Sequence, residues 1–147
     1  MGQLTLPNNA IVYIDTAIMI YTLEGNENYL PSLDPLWSRF ESGNITLMTS
    51  ELTLMEVLVH PLKTKNFELV ADYEDFLTNS MIQLLPINRA ILKNAAQIRS
   101  TKNIKTPDAI HASTAIQHSC TIFLTNDRGF QNTPSLPVMI LDQVIQS

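Results

Sequence analysis

The sequence predicts an α/β protein built around a parallel sheet, and three features of the chain support this fold class. Short apolar segments rich in β-branched residues alternate with longer segments of helical periodicity. The strand segments are nearly continuous in apolar character, as is typical of parallel strands covered on both faces. The chain has 147 residues, 45% of them hydrophobic, which is enough to fill one core. We therefore predict a three-layer α/β/α sandwich, with residues 1–147 forming a single domain.

The predicted strands are short, and a helical segment follows each one except the last. They are Ala10–Ile14, Ile45–Thr49, Ile82–Leu85, Thr121–Thr125 and Pro137–Leu141. Parallel strands need crossover connections, and these are right-handed, so the carboxyl ends of all strands reach one edge of the sheet. Sites in open parallel sheets form beyond that edge, where the chain changes direction across the sheet.

Capping and termination signals bound the predicted helices. The segments Phe67–Asn79 and Arg89–Arg99 follow Asn66 and Asn88, which are good N-cap residues. Thr106 followed by Pro107 predicts the start of a helix over Asp108–His118. An earlier helix begins after Pro31, runs to Glu41 and ends before Gly43. A helix after strand two carries Glu56, which shares a face with Leu52 and Val59.

Four acidic residues occupy positions from which this fold would bring them together. Asp15 directly follows strand one, and Asp127 comes soon after strand four. Asp108 lies in the first turn of the helix before strand four, and Glu56 lies about two turns into the helix after strand two. An acidic side chain on an inward helix face is costly to bury unless it is paired or metal-bound. Together the four acids predict an acidic cluster that a hard divalent cation would neutralise.

Each acid also has an ordinary structural interpretation. Asp15 could cap the helix that follows strand one, and Asp108 could be a first-turn acid favoured by the helix dipole. Asp127 could be a turn residue, and Glu56 could reach solvent at the border of its apolar face. Their joint placement, rather than any one of them, favours a site.

The net charge of −5 argues against a protein that coats nucleic acid through charge alone. It does not exclude a nuclease, because setting the four acids aside leaves 10 acidic against 9 basic residues. A basic group precedes Asp108 and is either a solvated helix face and loop or a phosphate contact. It consists of Lys93, Arg99, Lys102 and Lys105.

Histidine and cysteine do not indicate a zinc site, because the three histidines are scattered and Cys120 is the only cysteine. We predict packing or surface positions for His111 and His118. Cys120 is expected to be a small buried side chain. A chain without a disulfide, a leader-like start or a membrane-spanning apolar run fits a cytoplasmic protein.

The motifs resemble those of PIN-domain nucleases, especially the VapC-type toxins, over nearly the whole chain. The matching segments are Ile11–Thr16, Glu51–Glu56, Pro107–Ser113 and Leu124–Phe130. Any one segment is a weak signal, but four in this order are fairly specific. One departure is Ala17, where many members have Ser or Asn.

The resemblance implies a five-stranded parallel sheet of order 3-2-1-4-5 and a metal-dependent endoribonuclease that hydrolyses RNA phosphodiester bonds. It implies Mg²⁺ or Mn²⁺ at Asp15, Glu56, Asp108 and Asp127, directly or through water, with support from the hydroxyls of Thr16 and Thr125. It also implies a protein antitoxin as partner and a homodimer. The helical segments Leu30–Phe40 and Phe67–Leu77 are either core stripes or the surface for such a partner.

Three other classes of protein compete with this prediction. A phosphoacceptor receiver domain would have adjacent acids near strand one and a late lysine, but no acid precedes Asp15 and no lysine follows Lys105. A phosphatase of the haloacid-dehalogenase type would have a second acid at Ala17. The remaining alternative is a PIN-like RNA-binding or RNA-processing module that is not a toxin.

Overall fold

The computed structural model describes residues 3–146, and over this range the strands form one parallel sheet of the predicted order, β3-β2-β1-β4-β5. The strands are β1 (Ile11–Ile14), β2 (Thr46–Ser50), β3 (Gln83–Leu85), β4 (Ile122–Thr125) and β5 (Val138–Ile140). Each lies within one residue of its predicted position at either end. From β1 the chain first builds β2 and β3 on one side, and β4 and β5 then form on the other side. The switch point of the sheet is therefore between β1 and β4.

Helices connect the strands, apart from a 3₁₀ helix between the last two, and they begin where the capping signals predict with two exceptions. The second helix begins at Leu30, two residues before the predicted start after Pro31, and the sixth begins at Thr106. The helices are α1 (Thr16–Leu23), α2 (Leu30–Glu41), α3 (Glu51–Lys63), α4 (Phe67–Asn79), α5 (Arg89–Thr101), α6 (Thr106–Gln117) and α7 (Leu141–Gln146). A short 3₁₀ helix covers Arg128–Phe130. The side chains of Asn66 and Asn88 cap α4 and α5 as predicted, accepting from the backbone N–H groups of Leu69 and Ile91.

The predicted cap of α6 is wrong. Lys105 occupies the N-cap position in extended conformation, and its side chain makes no capping hydrogen bond. Thr106 is already helical, and its hydroxyl instead accepts a hydrogen bond from Arg99 at 2.9 Å. The helix tolerates this start because Pro107 lies in the first turn and has no backbone N–H to satisfy.

Both faces of the sheet are buried, and successive residues of one strand enter opposite cores. Val12 and Ile14 of β1 pack on the side of α1, α2 and α4, whereas Tyr13 packs on the side of α5 and α6. In β4, Phe123 shares the core of Tyr13, and both rings are completely buried. This alternation explains why the two central strands, β1 and β4, are almost entirely apolar, since both of their faces are buried.

The apolar stripes of α2 and α4 are core stripes rather than a partner surface. Leu33 and Leu36 of α2 are buried, and so are Tyr73 and Leu77 of α4. The exposed large apolar side chains of residues 3–146 include Phe67, at the start of α4, and three residues of α3. The whole set is Met55, Val59, Leu62, Phe67, Met81 and Leu92. On α5, Ile91, Ala95 and Ile98 are buried, whereas Leu92 is exposed.

Two smaller features also bear on the predictions. Cys120 is buried, as expected, and burial raises the pKa of its thiol to about 11. Within the described range, no helix is long and apolar enough to cross a membrane.

The ring stack beneath the sheet makes Phe123 a strong test of the fold. Phe123 lies parallel to Tyr13 at a centroid distance of 5.0 Å and contacts Phe130 at 4.7 Å. We expect Phe123→Ala to lower the free energy of unfolding by about 3–5 kcal/mol, because it leaves a cavity among close-packed rings. Denaturant unfolding followed by circular dichroism measures this value.

Phe67→Ala is the matched control, since Phe67 is 63% exposed at the start of α4. We expect this change to stay within about 0.5 kcal/mol of the wild type. Equal losses from the two substitutions would show that Phe123 is not part of a packed core.

Candidate active site

The predicted acids lie around the carboxyl ends of β1 and β4, at the switch point of the sheet. Asp15 follows β1, and its backbone N–H donates to the carbonyl of Leu124 in β4 at 3.0 Å. Glu56 reaches this edge from α3, Asp108 from the first turn of α6, and Asp127 from the turn after β4. The fold thus brings four positions that are far apart in sequence to one region.

Asp15 is the most buried of the four acids, with 8% of its surface exposed. One carboxylate oxygen accepts from the backbone N–H of Thr16 at 2.8 Å and caps α1, as the alternative interpretation proposed. The other oxygen accepts from the hydroxyl of Thr125 at 2.7 Å. Burial raises the pKa of Asp15 above its ordinary value, although His111, Thr125 and Thr16 act in the opposite direction. Asp15 is therefore both a cap and a member of the acidic site.

Glu56 is half-buried, with 28% of its side chain exposed, and one of its oxygens is held by two donors. Oε1 lies 2.6 Å from Nε2 of His111 and accepts from the hydroxyl of Thr16 at 2.8 Å. Burial alone would raise the pKa of Glu56, but His111 and Thr16 outweigh it and lower the pKa. Of its predicted face neighbours, Val59 is exposed, so Glu56 lies at the border of the apolar face.

Buried threonine hydroxyls connect Glu56 to the strand ends. The hydroxyl of Thr16 lies 3.3 Å from that of Thr53, which in turn lies 2.8 Å from the hydroxyl of Thr49. Thr49 donates to the carbonyl of Ile14 at the end of β1. These bonds satisfy polar groups that would be costly to bury unpaired, and they fix α1 and α3 at the sheet edge.

Asp108 is half-buried in the first turn of α6, and its side chain makes no hydrogen bond to any described residue. Its pKa is raised first by burial and then by the nearby carboxylates of Asp127, Asp15 and Glu56. His111 acts in the opposite direction. The negative charges of the other three acids therefore act on the pKa of Asp108 in the same direction as its burial.

Asp127 is exposed and serves the turn after β4. Its carboxylate accepts from the backbone N–H of Gly129 at 2.8 Å and caps the 3₁₀ helix, which confirms the turn interpretation. Its own backbone N–H donates to the hydroxyl of Thr125 at 3.1 Å. Thr125 thus bonds both the carboxylate of Asp15 and the backbone of Asp127.

His111 lies next to the predicted acids, although sequence reasoning did not place it there. It is 1% exposed and packs edge-on against Tyr13, as a packing prediction allows, but it also hydrogen bonds to Glu56. His118, by contrast, is exposed at the end of α6. The spacing contained one usable signal, because His111 follows Asp108 by three residues and therefore shares its helix face.

Two of the basic residues before Asp108 have structural contacts. Arg99 donates to the carbonyl of Ile104 and to the hydroxyl of Thr106, which ties the end of α5 to the start of α6. Lys102 donates to the carbonyl of Gln131 at 2.8 Å, beyond the 3₁₀ helix. Lys93 and Lys105 are exposed. The two tethered residues hold the segments that carry Asp108 and Asp127.

The site suits a hydrated oxygen-seeking cation rather than a fully protein-coordinated one. Among residues 3–146, no three acidic, histidine or cysteine side chains lie close enough together to form a ready-made metal site. Mg²⁺, however, keeps several waters and commonly binds through only one or two carboxylates. The mutual repulsion recorded at Asp108 is what such a cation would relieve. Asp15, Glu56, Asp108 and Asp127 could hold it, directly or through water.

The sheet order and the flanking helices define an α/β/α domain with acidic side chains near its switch point. The family model of the PIN domain matches residues 12–136, so the chain belongs to the PIN-domain family. The resemblance carried by the four motifs is thereby confirmed.

Relatives and solved structures agree with this family. The chain is 22% identical to ribonuclease VapC13 of Mycobacterium tuberculosis over 127 residues, which cover 86% of this chain and 97% of VapC13. DNA-bound VapBC from Salmonella typhimurium is similar with a TM-score of 0.71 and 20% identity, over 90% of this chain and 98% of that one. A toxin–antitoxin complex from Klebsiella pneumoniae gives 0.68 and 23%, over 88% and 97%. These two structures share the fold of this chain.

Repulsion at Asp108 predicts that removing its charge stabilises the metal-free protein. Because its pKa is raised in the folded state, the folded protein loses stability as pH rises from the unfolded pKa through the folded pKa. We expect Asp108→Asn to raise the melting temperature at pH 7 by on the order of 2 °C. Below about pH 3, where both states are protonated, the difference should vanish. Calorimetry in chelator-treated buffer measures both values.

Glu68→Gln is the matched control, since Glu68 is an exposed first-turn acid of α4. It loses the same favourable helix-dipole interaction without any relief of repulsion, so its melting temperature should stay the same or fall slightly. A fall in both variants would mean that Asp108 acts only as a first-turn acid.

Proposed function

We propose that this chain is a metal-dependent endoribonuclease and the toxin of a toxin–antitoxin pair. The observation that carries the proposal is the placement of Asp15, Glu56, Asp108 and Asp127 around the carboxyl ends of β1 and β4. Membership of the PIN-domain family supports it, as does similarity to VapC13, which is named a ribonuclease. Without a cation, a cluster of acids would repel an RNA phosphate. Substrate binding therefore requires a cation between the acids and the phosphate.

Mg²⁺ or Mn²⁺ would supply a bound water of lowered pKa and positive charge next to the scissile phosphate. Asp15 is held by Thr16 and Thr125 and offers fixed negative charge to that cation. Asp108 and Asp127 complete the acidic edge, and Glu56 orients the attacking water through its second carboxylate oxygen. Water attacks the phosphorus in line with the leaving oxygen, so that a P–O bond to water forms as the P–O bond to the leaving oxygen breaks. The proton released by the water ends on the leaving oxygen, which departs as a hydroxyl.

The proposed partners are an RNA substrate, a protein antitoxin and a second copy of the chain. Toxin–antitoxin complexes among the similar structures support a protein partner for this fold. The chain offers an exposed apolar stripe for such a contact, since Met55, Val59 and Leu62 follow one another at helical spacing on α3. We also propose that residues 1–147 act as one domain, and that the protein works in the cytoplasm, where its RNA substrate lies.

Loss of either the cation or a single acid should abolish cleavage. We expect chelator, Asp15→Asn and Asp108→Asn each to slow cleavage of RNA by at least about a hundredfold, exceeding the usual effect of losing an outer-shell partner. Asn still caps a helix well, so Asp15→Asn should remain folded. The measurement is cleavage mapping on total RNA with and without added Mn²⁺, alongside circular dichroism.

The control is Asp72→Asn, which makes the same chemical change on the exposed face of α4. It should cleave RNA at the wild-type rate. Full activity of purified Asp15→Asn or Asp108→Asn would defeat the assignment of the acidic site.

The toxin role makes a separate prediction in living cells. Expression of the wild-type chain without a partner should arrest growth, because cleavage of cellular RNA stops protein synthesis, whereas Asp108→Asn should permit growth. Colony counts and intact-RNA profiles after induction measure this difference. Normal growth with an enzyme that cleaves RNA in vitro would instead favour an RNA-processing module, and arrest by both forms would argue against cleavage as the cause.

A further inference from the structure

A buried imidazole lies between Glu56 and the core of the sheet. Nε2 of His111 is 2.6 Å from Oε1 of Glu56, and Nδ1 is 2.6 Å from the hydroxyl of Tyr13. Both residues behind Glu56 are essentially excluded from water, with Tyr13 0% and His111 1% exposed.

We propose that His111 is a positioning residue that fixes which carboxylate oxygen of Glu56 faces the acidic site, and that Tyr13 fixes the imidazole in turn. The inference rests on the proposed function, since it assigns a task to Glu56 within that site. It adds two residues, Tyr13 and His111, to the four acids that the motifs identify.

The direction of the hydrogen bonds follows from the chemistry of the three groups. The Glu56 carboxylate is ionised and can only accept, so the proton between it and His111 is carried on Nε2. In the neutral imidazole Nδ1 is then an acceptor, and the phenol of Tyr13 donates to it. Burial keeps that phenol protonated by raising the pKa of Tyr13 well above its ordinary value. Nε2–H faces Glu56 whether or not the imidazole is charged.

Rigid packing holds Tyr13, the first residue of the hydrogen-bonded series Tyr13–His111–Glu56, in place. The ring of Tyr13 is stacked on Phe123 with an interplanar angle of 9°, and it meets His111 edge-on at a centroid distance of 5.9 Å. Tyr13 lies in β1 and Phe123 in β4, the two strands that flank the switch point. The most buried part of the sheet thus holds the side chain of Glu56 in place through Tyr13 and His111.

Two donors converge on one oxygen of Glu56 and leave the other available. Oε1 receives both Nε2–H of His111 and the hydroxyl of Thr16. Oε2 accepts no hydrogen bond from the part of the chain that the structure describes. A carboxylate pinned through one oxygen cannot rotate freely, so Oε2 is presented in a fixed direction to a hydrated cation or a water.

The test compares four variants for the Mn²⁺ affinity of RNA-free protein and for kcat and KM on a cleaved RNA. His111→Leu removes the donor, and His111→Gln restores an N–H that can reach Glu56. Tyr13→Phe keeps the stacked ring but removes the hydroxyl that bonds Nδ1 of His111. Tyr73→Phe is the matched control, because Tyr73 is also 0% exposed and also loses a 2.6 Å hydrogen bond, to Glu24.

We expect His111→Leu to weaken Mn²⁺ binding and lower kcat by about 10–100-fold with little change in KM, as outer-shell partners of metal sites usually do. His111→Gln should recover most of this loss, and Tyr13→Phe should fall between the two. Tyr73→Phe should leave Mn²⁺ affinity and kcat unchanged, even if its melting temperature falls. Nitrogen-15 NMR of the metal-free wild type should show His111 protonated on Nε2.

The outcomes separate this inference from the proposed function. The decisive case is one in which His111→Leu folds, together with Tyr13→Phe or His111→Gln. If His111→Leu then keeps the Mn²⁺ affinity and kcat of the wild type, the positioning assignment is overturned while RNA cleavage stands. If His111→Leu does not fold, equal effects of Tyr13→Phe and Tyr73→Phe on Mn²⁺ affinity and kcat would overturn it. A wild-type protein whose Mn²⁺ affinity depends on His111 and Tyr13, but which cleaves no RNA, would defeat the proposed function alone.

Discussion

Repulsion among carboxylates at one edge of the sheet is the constraint on which the rest of the site depends. Parallel topology forces the carboxyl ends of β1 and β4 together, and Asp15 and Asp127 follow those strands. Helices α3 and α6 add Glu56 and Asp108 to the same edge. Two like charges 4 Å apart repel by about 4 kcal/mol at an effective dielectric near 20, so every acid at such an edge must be held against its neighbours.

The four acids are held in different ways, and the difference suggests a division of tasks. Both oxygens of Asp15 are bonded, and one oxygen of Glu56 receives two donors. Asp127 is fixed by the backbone of its own turn. Asp108 depends on the start of α6 alone and experiences the charge of the others. The three hydrogen-bonded acids define the geometry of the sheet edge. The negative charge of Asp108 is the one that a bound cation would offset most.

The sequence predicted the parts of the structure that depend on local patterns. Strand β1 differs from its predicted range only at Ala10, because a strand buried on both faces is a continuous apolar run. Asn66 caps α4 because capping depends on a few neighbouring residues. The contact between His111 and Glu56 spans 55 residues and depends on how α3 and α6 pack around the sheet edge. No local pattern encodes that contact, and the failed cap at Thr106 likewise reflects a competing bond from Arg99.

The same packing that stabilises the fold also positions the side chains at the sheet edge, although Asp15 and Asp108, whose pKa values are raised, oppose stability when ionised. Tyr13 belongs at once to the ring stack under the sheet and to the hydrogen bonds that reach Glu56. A strained cluster persists only where surrounding structure determines it, and here the buried strands provide that structure. A ligand that binds only the folded state returns stability, by about 2.7 kcal/mol at a hundred times its dissociation constant. A cation at this edge would therefore contribute to folding as well as to catalysis, and the free protein would be the less stable form.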